Sequence, residues 1–180
     1  GTYSYTGSEQ TVSYTVDGLS DMVLGEDYTV TGDKGTDADV YILTVTGIGP
    51  YEGTVMRAGW AILKATLMVV ADDQTITYGE DRPSLTVSYY GFVGGAAESV
   101  LQGDLVVNTG YDKGSPVGTY DITPSGSTSD NYGIYYVDGD LHVIPEEFTV
   151  ELSGTYTYSG VGQTVAYTVT GVDGAVLDPE

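Results

Sequence analysis

His142 is the only histidine in the sequence, and it falls in the run LHVI at 141–144. Acyl transfer of the Ser–His–acid kind needs a histidine held between a nucleophile and a carboxylate. Here it alternates with Leu141 and Val143, which places it on the opposite face of a strand from those apolar residues. No Gly-x-Ser-x-Gly turn, phosphate-binding loop or dinucleotide fingerprint accompanies it. A structural or exposed role for His142 is favoured.

The 26 acidic residues supply many carboxylate pairs. Glycoside hydrolysis needs one acid of such a pair buried, with its pKa raised. Most acids here neighbour Gly or Asp in turn-like sequence, where water keeps them ionised, so hydrolysis is disfavoured. Calcium suits these groups better, because it takes carboxylate and carbonyl oxygens presented by loops. The candidate ligands are Asp72 and Asp73, with Glu80 and Asp81 downstream, and Asp138 and Asp140, which flank a glycine. Asp130 with Asn131 forms a third patch. No EF-hand loop is present, and acids in turns are more often simply solvated.

The 17 tyrosines, against two phenylalanines, are the strongest hint of binding. A tyrosine offers a flat apolar face to a sugar ring and a hydroxyl for hydrogen bonds. In a strand, Tyr89-Tyr90 and Tyr135-Tyr136 each send one ring to either face, and these four are the candidate glycan contacts. The plainer reading is that Tyr replaces Phe as the half-buried strand aromatic. A Lys–Asn amide cross-link is excluded from residues 1–66, which contain no asparagine. Lys113 lies in the loop GYDKG at 110–114, so the intact mass is expected to show no loss of ammonia.

The elements that carry these residues are short strands. Thr, Val, Tyr and Ile dominate runs that Gly, Asp, Asn and Ser punctuate. In QTVSYTV at 10–16, Val12, Tyr14 and Val16 share one face and Thr11, Ser13 and Thr15 the other. The runs at 41–46, 86–90, 119–123 and 133–137 alternate in the same way, as half-buried antiparallel strands do. Turns are expected at Asp17-Gly18, 32–35, 47–50, Gly94-Gly95 and Asp138-Gly139. Only 94–101 and 21–24 read as helical turns, and both are short. The pattern predicts an all-β chain of tandem small antiparallel sandwiches, immunoglobulin-like or related.

One boundary falls near Thr66, where 60–70 reads as two strands head to tail, and another within 140–152. Neither has a Gly/Ser-rich tether. Junctions with so little slack predict a stiff rod. Residues 1–27 and 154–180 align without a gap and are identical at 14 of 27 positions. An offset of that kind marks an array built from one recurring unit. The expected modules are therefore 1–66, 67–145, and 146–180 as the opening of a third that repeats 1–27. The run FTVEL at 148–152 precedes the second copy, whereas the first has no such opening strand. An exposed edge invites strand addition, so 148–180 is expected to exchange between copies.

The net charge of −21, with five basic residues in all, repels nucleic acid and anionic lipid and keeps long chains soluble. The absence of cysteine excludes disulfides and thiolate chemistry. No apolar run reaches membrane-spanning length, so no membrane insertion is expected. Any export signal or anchor is expected outside this segment.

The motifs at 67–145 carry a resemblance. LMVVADDQ at 67–74 is followed by Tyr78-Gly79 and by Asp81, Arg82 and Pro83. Then come VGTYDI at 117–122, Asp130-Asn131-Tyr132 and GDLHVI at 139–144. This stretch resembles the MBG-type repeats of large bacterial surface and adhesin-like proteins, and 1–66 resembles a sister module more loosely. The resemblance implies an all-β fold, an extracellular, cell-surface location, a repetitive parent and no catalytic residues. Two functions are then expected. One is a non-enzymatic stalk segment that contacts neighbouring repeats and projects an adhesive tip. The other is a module that itself binds host glycan or matrix protein.

Overall fold

The structure, a computed structural model, describes residues 1–16, 21–171 and 176–177. The turn expected at Asp17-Gly18 and most of 172–180 lie outside the described residues. Among those described, regular structure is all strand apart from two turns of 3-10 helix, Gly49–Tyr51 and Glu98–Val100. The second falls within the expected helical turn at 94–101. The first occupies the expected turn at 47–50, where Pro50 sits in its first positions and has no N–H to leave unpaired.

The first stretch holds β1 (Thr2–Ser4), β2 (Gln10–Thr11), β3 (Tyr28–Thr31), β4 (Lys34–Gly35), β5 (Val40–Gly47) and β6 (Val55–Leu63). Four of them form a sheet in the order β1-β6-β5-β3, and β2 pairs with β4. Val12, Leu43, Trp60 and Ile62 are its buried core. The Trp60 ring stacks on Tyr41 at 4.6 Å and meets Tyr3 edge-on at 5.8 Å. Its indole N–H donates to the Gly32 carbonyl at 2.8 Å, which satisfies the one polar atom this ring buries. The Tyr41 ring lies directly over Gly35, where a side chain would collide with it.

The second stretch holds β7 (Ala65–Ala71), β8 (Gln74–Thr77), β9 (Val87–Tyr90), β10 (Val106–Thr109), β11 (Gly118–Ser125), β12 (Tyr132–Val137) and β13 (Gly139–Ile144). Two sheets result, β10-β11-β13-β8 and β12-β7-β9. Ala71, Ile76, Tyr111, Ile122, Leu141 and Val143 form the core. Tyr111 is fully buried, with its hydroxyl donating to the Glu80 carbonyl at 2.7 Å.

Most ladders are antiparallel, but β1 with β6, β7 with β12 and β8 with β13 run parallel. Each parallel pair joins an opening strand to a closing one. The rest of the stretch provides the long connection that parallel neighbours need. Last come β14 (Phe148–Ser153), β15 (Ala166–Gly171) and β16 (Val176–Leu177), in that order within one sheet. Every residue of β14 is exposed.

The repeat seen in the sequence recurs in the hydrogen bonds. Gln10 Nε2 donates to the Ser4 carbonyl and Gln163 Nε2 to the Thr157 carbonyl. Tyr3 Oη accepts from the Ser13 N–H as Tyr156 Oη accepts from that of Ala166. Gly7 and Gly160 share a left-handed backbone, with φ of 78° and 76°.

Candidate functional site

A single residue, Lys64, separates β6 from β7. The expected boundary residue Thr66 is the second residue of β7. Around Lys64 the two stretches are joined by side chains as well as by the chain. The Asn131 Oδ1 accepts the Ala38 N–H at 2.7 Å, and Asn131 Nδ2 donates to Asp37 Oδ1 at 2.9 Å. The Lys64 ammonium donates to the Ser129 carbonyl at 2.7 Å. Ser129 Oγ in turn accepts from the backbone N–H groups of Asn131 and Tyr132, both at 3.3 Å, which sets the loop that presents Asn131.

Beside this polar clasp lies an aromatic one. Tyr132 is buried, and its ring meets Tyr5 edge-on at 5.4 Å and Phe92 edge-on at 5.6 Å. Its hydroxyl accepts the Val93 N–H at 3.1 Å. Gly7 and Gly94 pass so closely that a Cβ on Gly7 would stand 3.1 Å from the Gly94 Cα. Both glycines have positive φ, so a side chain at either would be strained as well as crowded. The contact therefore draws on residues from both stretches, up to 94 positions apart.

The four candidate tyrosines fall in the β12-β7-β9 sheet. Tyr135 pairs with Met68, and Met68 with Tyr90. These three form a row across the outer face, at 61%, 41% and 60% exposure. Tyr136, Val69 and Tyr89 form the next row, which faces inward with Val69 fully buried. Tyr136 donates its hydroxyl to the Ser127 carbonyl at 2.7 Å. Burial, and after it the Glu98 carboxylate, raises the Tyr89 hydroxyl pKa above its ordinary value. The Tyr135 ring leans over Gly133, which has no side chain to obstruct it. An apolar platform of two rings, with adjacent strands about 4.8 Å apart, is left facing solvent.

Of the four candidate calcium ligands Asp72, Asp73, Asp138 and Asp140, the carboxylates of Asp72 and Asp73 accept hydrogen bonds within the chain. Asp72 Oδ1 accepts from Ser88 Oγ at 2.7 Å. That bond, and a second from Thr86, hold the Asp72 carboxyl below the usual range. Asp138 is the single residue between β12 and β13, where a turn was expected, and Asp73 Oδ1 accepts the Asp140 N–H at 2.7 Å and so braces the start of β13. Glu80 caps the Thr77 N–H, Asp81 pairs with Lys113 at 3.2 Å, and Asp130 accepts from Gln102. Among the described residues no three or more His, Asp or Glu side chains are grouped to hold a metal. His142 is exposed on β13 and shares a 3.1 Å hydrogen bond with Thr119 across the β11 ladder, while Leu141 and Val143 point into the core.

In the sequence Asn131 stands in an acidic patch beside Asp130, and no local pattern gives Tyr5 or Tyr132 a role at the boundary. Residues 67–142 match the family model described as MBG domain (YGX type), over the stretch where the sequence motifs carried that resemblance. No curated protein matches the chain.

Proposed function

We propose that this chain is a non-enzymatic stalk segment of a bacterial cell-surface, adhesin-like protein, made of two-layered β modules at 1–66 and 67–145 with a third opening at 146–180. One observation carries the proposal. The modules are joined in the chain by Lys64 alone and are clasped beside it by Asn131 and Tyr132. Free hinges between modules would let a stalk fold back, whereas a clasp of directional hydrogen bonds and crossed rings fixes one angle. The match of 67–142 to a repeat type of surface proteins supports the setting. A charge of −21 supports it too, since repeated units of like charge repel and stay extended. No helix among the described residues is long and apolar enough to cross a membrane.

Backbone 15N relaxation tests the reading. Residues of β1 to β6 and of β7 to β13 are expected to tumble with one rotational diffusion tensor. Two independent tensors would remove the basis for a stalk.

The second reading, a module that binds host glycan or matrix protein, is favoured by the Tyr135–Met68–Tyr90 row. It is tested by a glycan, mucin and matrix-protein screen. Tyr90→Ala with Tyr135→Ala is expected to abolish any hit while circular dichroism is unchanged. A hit untouched by both substitutions would exclude the row.

A further inference from the structure

The opening and closing strands of the second module lie side by side through both of its sheets. Residues 65–70 of β7 pair with 132–137 of β12, and Gln74–Thr77 of β8 pair with 141–144 of β13. Every pair is parallel and separated by the same 67 positions, so a single register passes from the smaller sheet into the larger. The Ala65 N–H donates to the Asn131 carbonyl at 3.0 Å at one end of this register. At the other end the Tyr78 N–H donates to the Ile144 carbonyl at 2.9 Å.

Between the two ladders the strands change sheets, and there a side chain supplies the rung. Asp73 Oδ1 accepts the Asp140 N–H at 2.7 Å, a pair with the same separation. Gly139 lets the two strands approach at this point, since a Cβ on it would stand 2.6 Å from the Ala71 carbonyl oxygen. Leu67, Val69 and Ile76 on the opening side are buried, as are Tyr132, Leu141 and Val143 on the closing side. One face of the rungs is therefore shielded from water, where a hydrogen bond is stronger than in solvent.

Chain direction decides how these rungs meet a pull. The module is entered through Lys64, at the amino end of β7, and left through Pro145, at the carboxyl end of β13. Because the paired strands run parallel, entry and exit lie at opposite ends of the paired length, about 40 Å apart at about 3.3 Å per residue. Tension between Lys64 and Pro145 therefore slides one strand along the other, and all the rungs resist together. Separating two neighbouring strand ends would instead break the rungs one at a time. We infer that the second module is a shear clamp that carries tension along the chain, with the Asp73 carboxylate holding the point where the strands change sheets. The inference concerns this module alone and does not depend on the stalk reading.

Single-molecule force spectroscopy on the full-length chain tests it, with cysteine handles that are specific because the chain has no cysteine of its own. Lys64→Cys with Glu147→Cys pulls the two strands lengthwise. Arg82→Cys with Glu147→Cys pulls apart their neighbouring ends, and all three positions are exposed. At one loading rate the lengthwise pair is expected to unfold at a force several-fold higher, since forced unfolding follows the unfolding rate along the pull. Asp73→Ala is expected to lower the lengthwise force. It is expected to leave the peeling force unchanged, because peeling begins at the Tyr78–Ile144 end. Asp73→Asn keeps an acceptor oxygen and is expected to restore most of the lengthwise force. Circular dichroism checks that each variant is folded before it is pulled. Equal forces in the two geometries overturn the inference, as does a lengthwise force that Asp73→Ala leaves unchanged.

Discussion

Replacing Asn131 by alanine removes the two hydrogen bonds by which one side chain holds both modules. The part-buried Ala38 N–H loses its 2.7 Å acceptor and gains none, a loss of about 1–3 kcal/mol for a polar group left unpaired. The bond to Asp37 is solvent-exposed, so its contribution is discounted to about 0.5 kcal/mol. Together the substitution weakens the coupling between modules by about 1.5–3.5 kcal/mol, roughly 10- to 300-fold. Trp60, the only tryptophan, lies in the first module, and its fluorescence reports that module alone. Far-ultraviolet circular dichroism reports both. In urea the two signals are expected to coincide for the unsubstituted chain. For Asn131→Ala the Trp60 transition is expected to move to lower urea and separate from the dichroism. Tyr5→Ala removes the edge-on ring pair, about 0.5–1.5 kcal/mol beyond the area it buries, together with packing against the first module's core, so its shift is expected to exceed that figure. A Trp60 midpoint unmoved by Asn131→Ala would refute the argument that this side chain couples the modules.

Other predictions concern the cores and the acids. Trp60→Ala is expected to cost about 3–5 kcal/mol and Trp60→Phe markedly less, because phenylalanine refills most of the space and loses only the bond to Gly32; thermal melts compare them. The Asp72 carboxyl is held below its unfolded pKa by Ser88 and Thr86, so its stabilisation is present above the unfolded value and is lost as pH falls through the folded one. The stability difference between the unsubstituted chain and Asp72→Ala is therefore expected to be constant near neutral pH and to shrink below about pH 4, in urea melts across that range. Calcium is expected to leave the melting temperature unchanged, because Asp72 and Asp73 each commit an oxygen to Ser88 and to the Asp140 N–H. A calcium-dependent rise that Asp73→Asn abolishes would contradict this.

Alternation was readable wherever it reflects a face. Val12, Tyr14 and Val16 turn inward and Thr11, Ser13 and Thr15 outward, as QTVSYTV implies. Yet only Gln10–Thr11 of that run forms a ladder. Period two records which side meets the core and is silent about whether a partner strand lies alongside. The same limit applies to the tyrosine pairs. Sequence places one ring of each pair on either face, but the row through Met68 depends on β12 lying parallel to β7, a pairing across more than sixty residues. The Lys64 junction was legible because it is local, two strand patterns without a gap. Asn131 was not, since its partners Asp37 and Ala38 are remote in sequence and an asparagine among turn residues looks like any other.

A stalk requires one fixed angle between the modules. Spin labels at Thr29→Cys on β3 and Asp121→Cys on β11, measured by double electron–electron resonance, test it most directly in a chain without native cysteine. A single narrow distance distribution that broadens in Asn131→Ala is the predicted result. A broad distribution in the otherwise unsubstituted chain, unchanged by Asn131→Ala, would contradict the account.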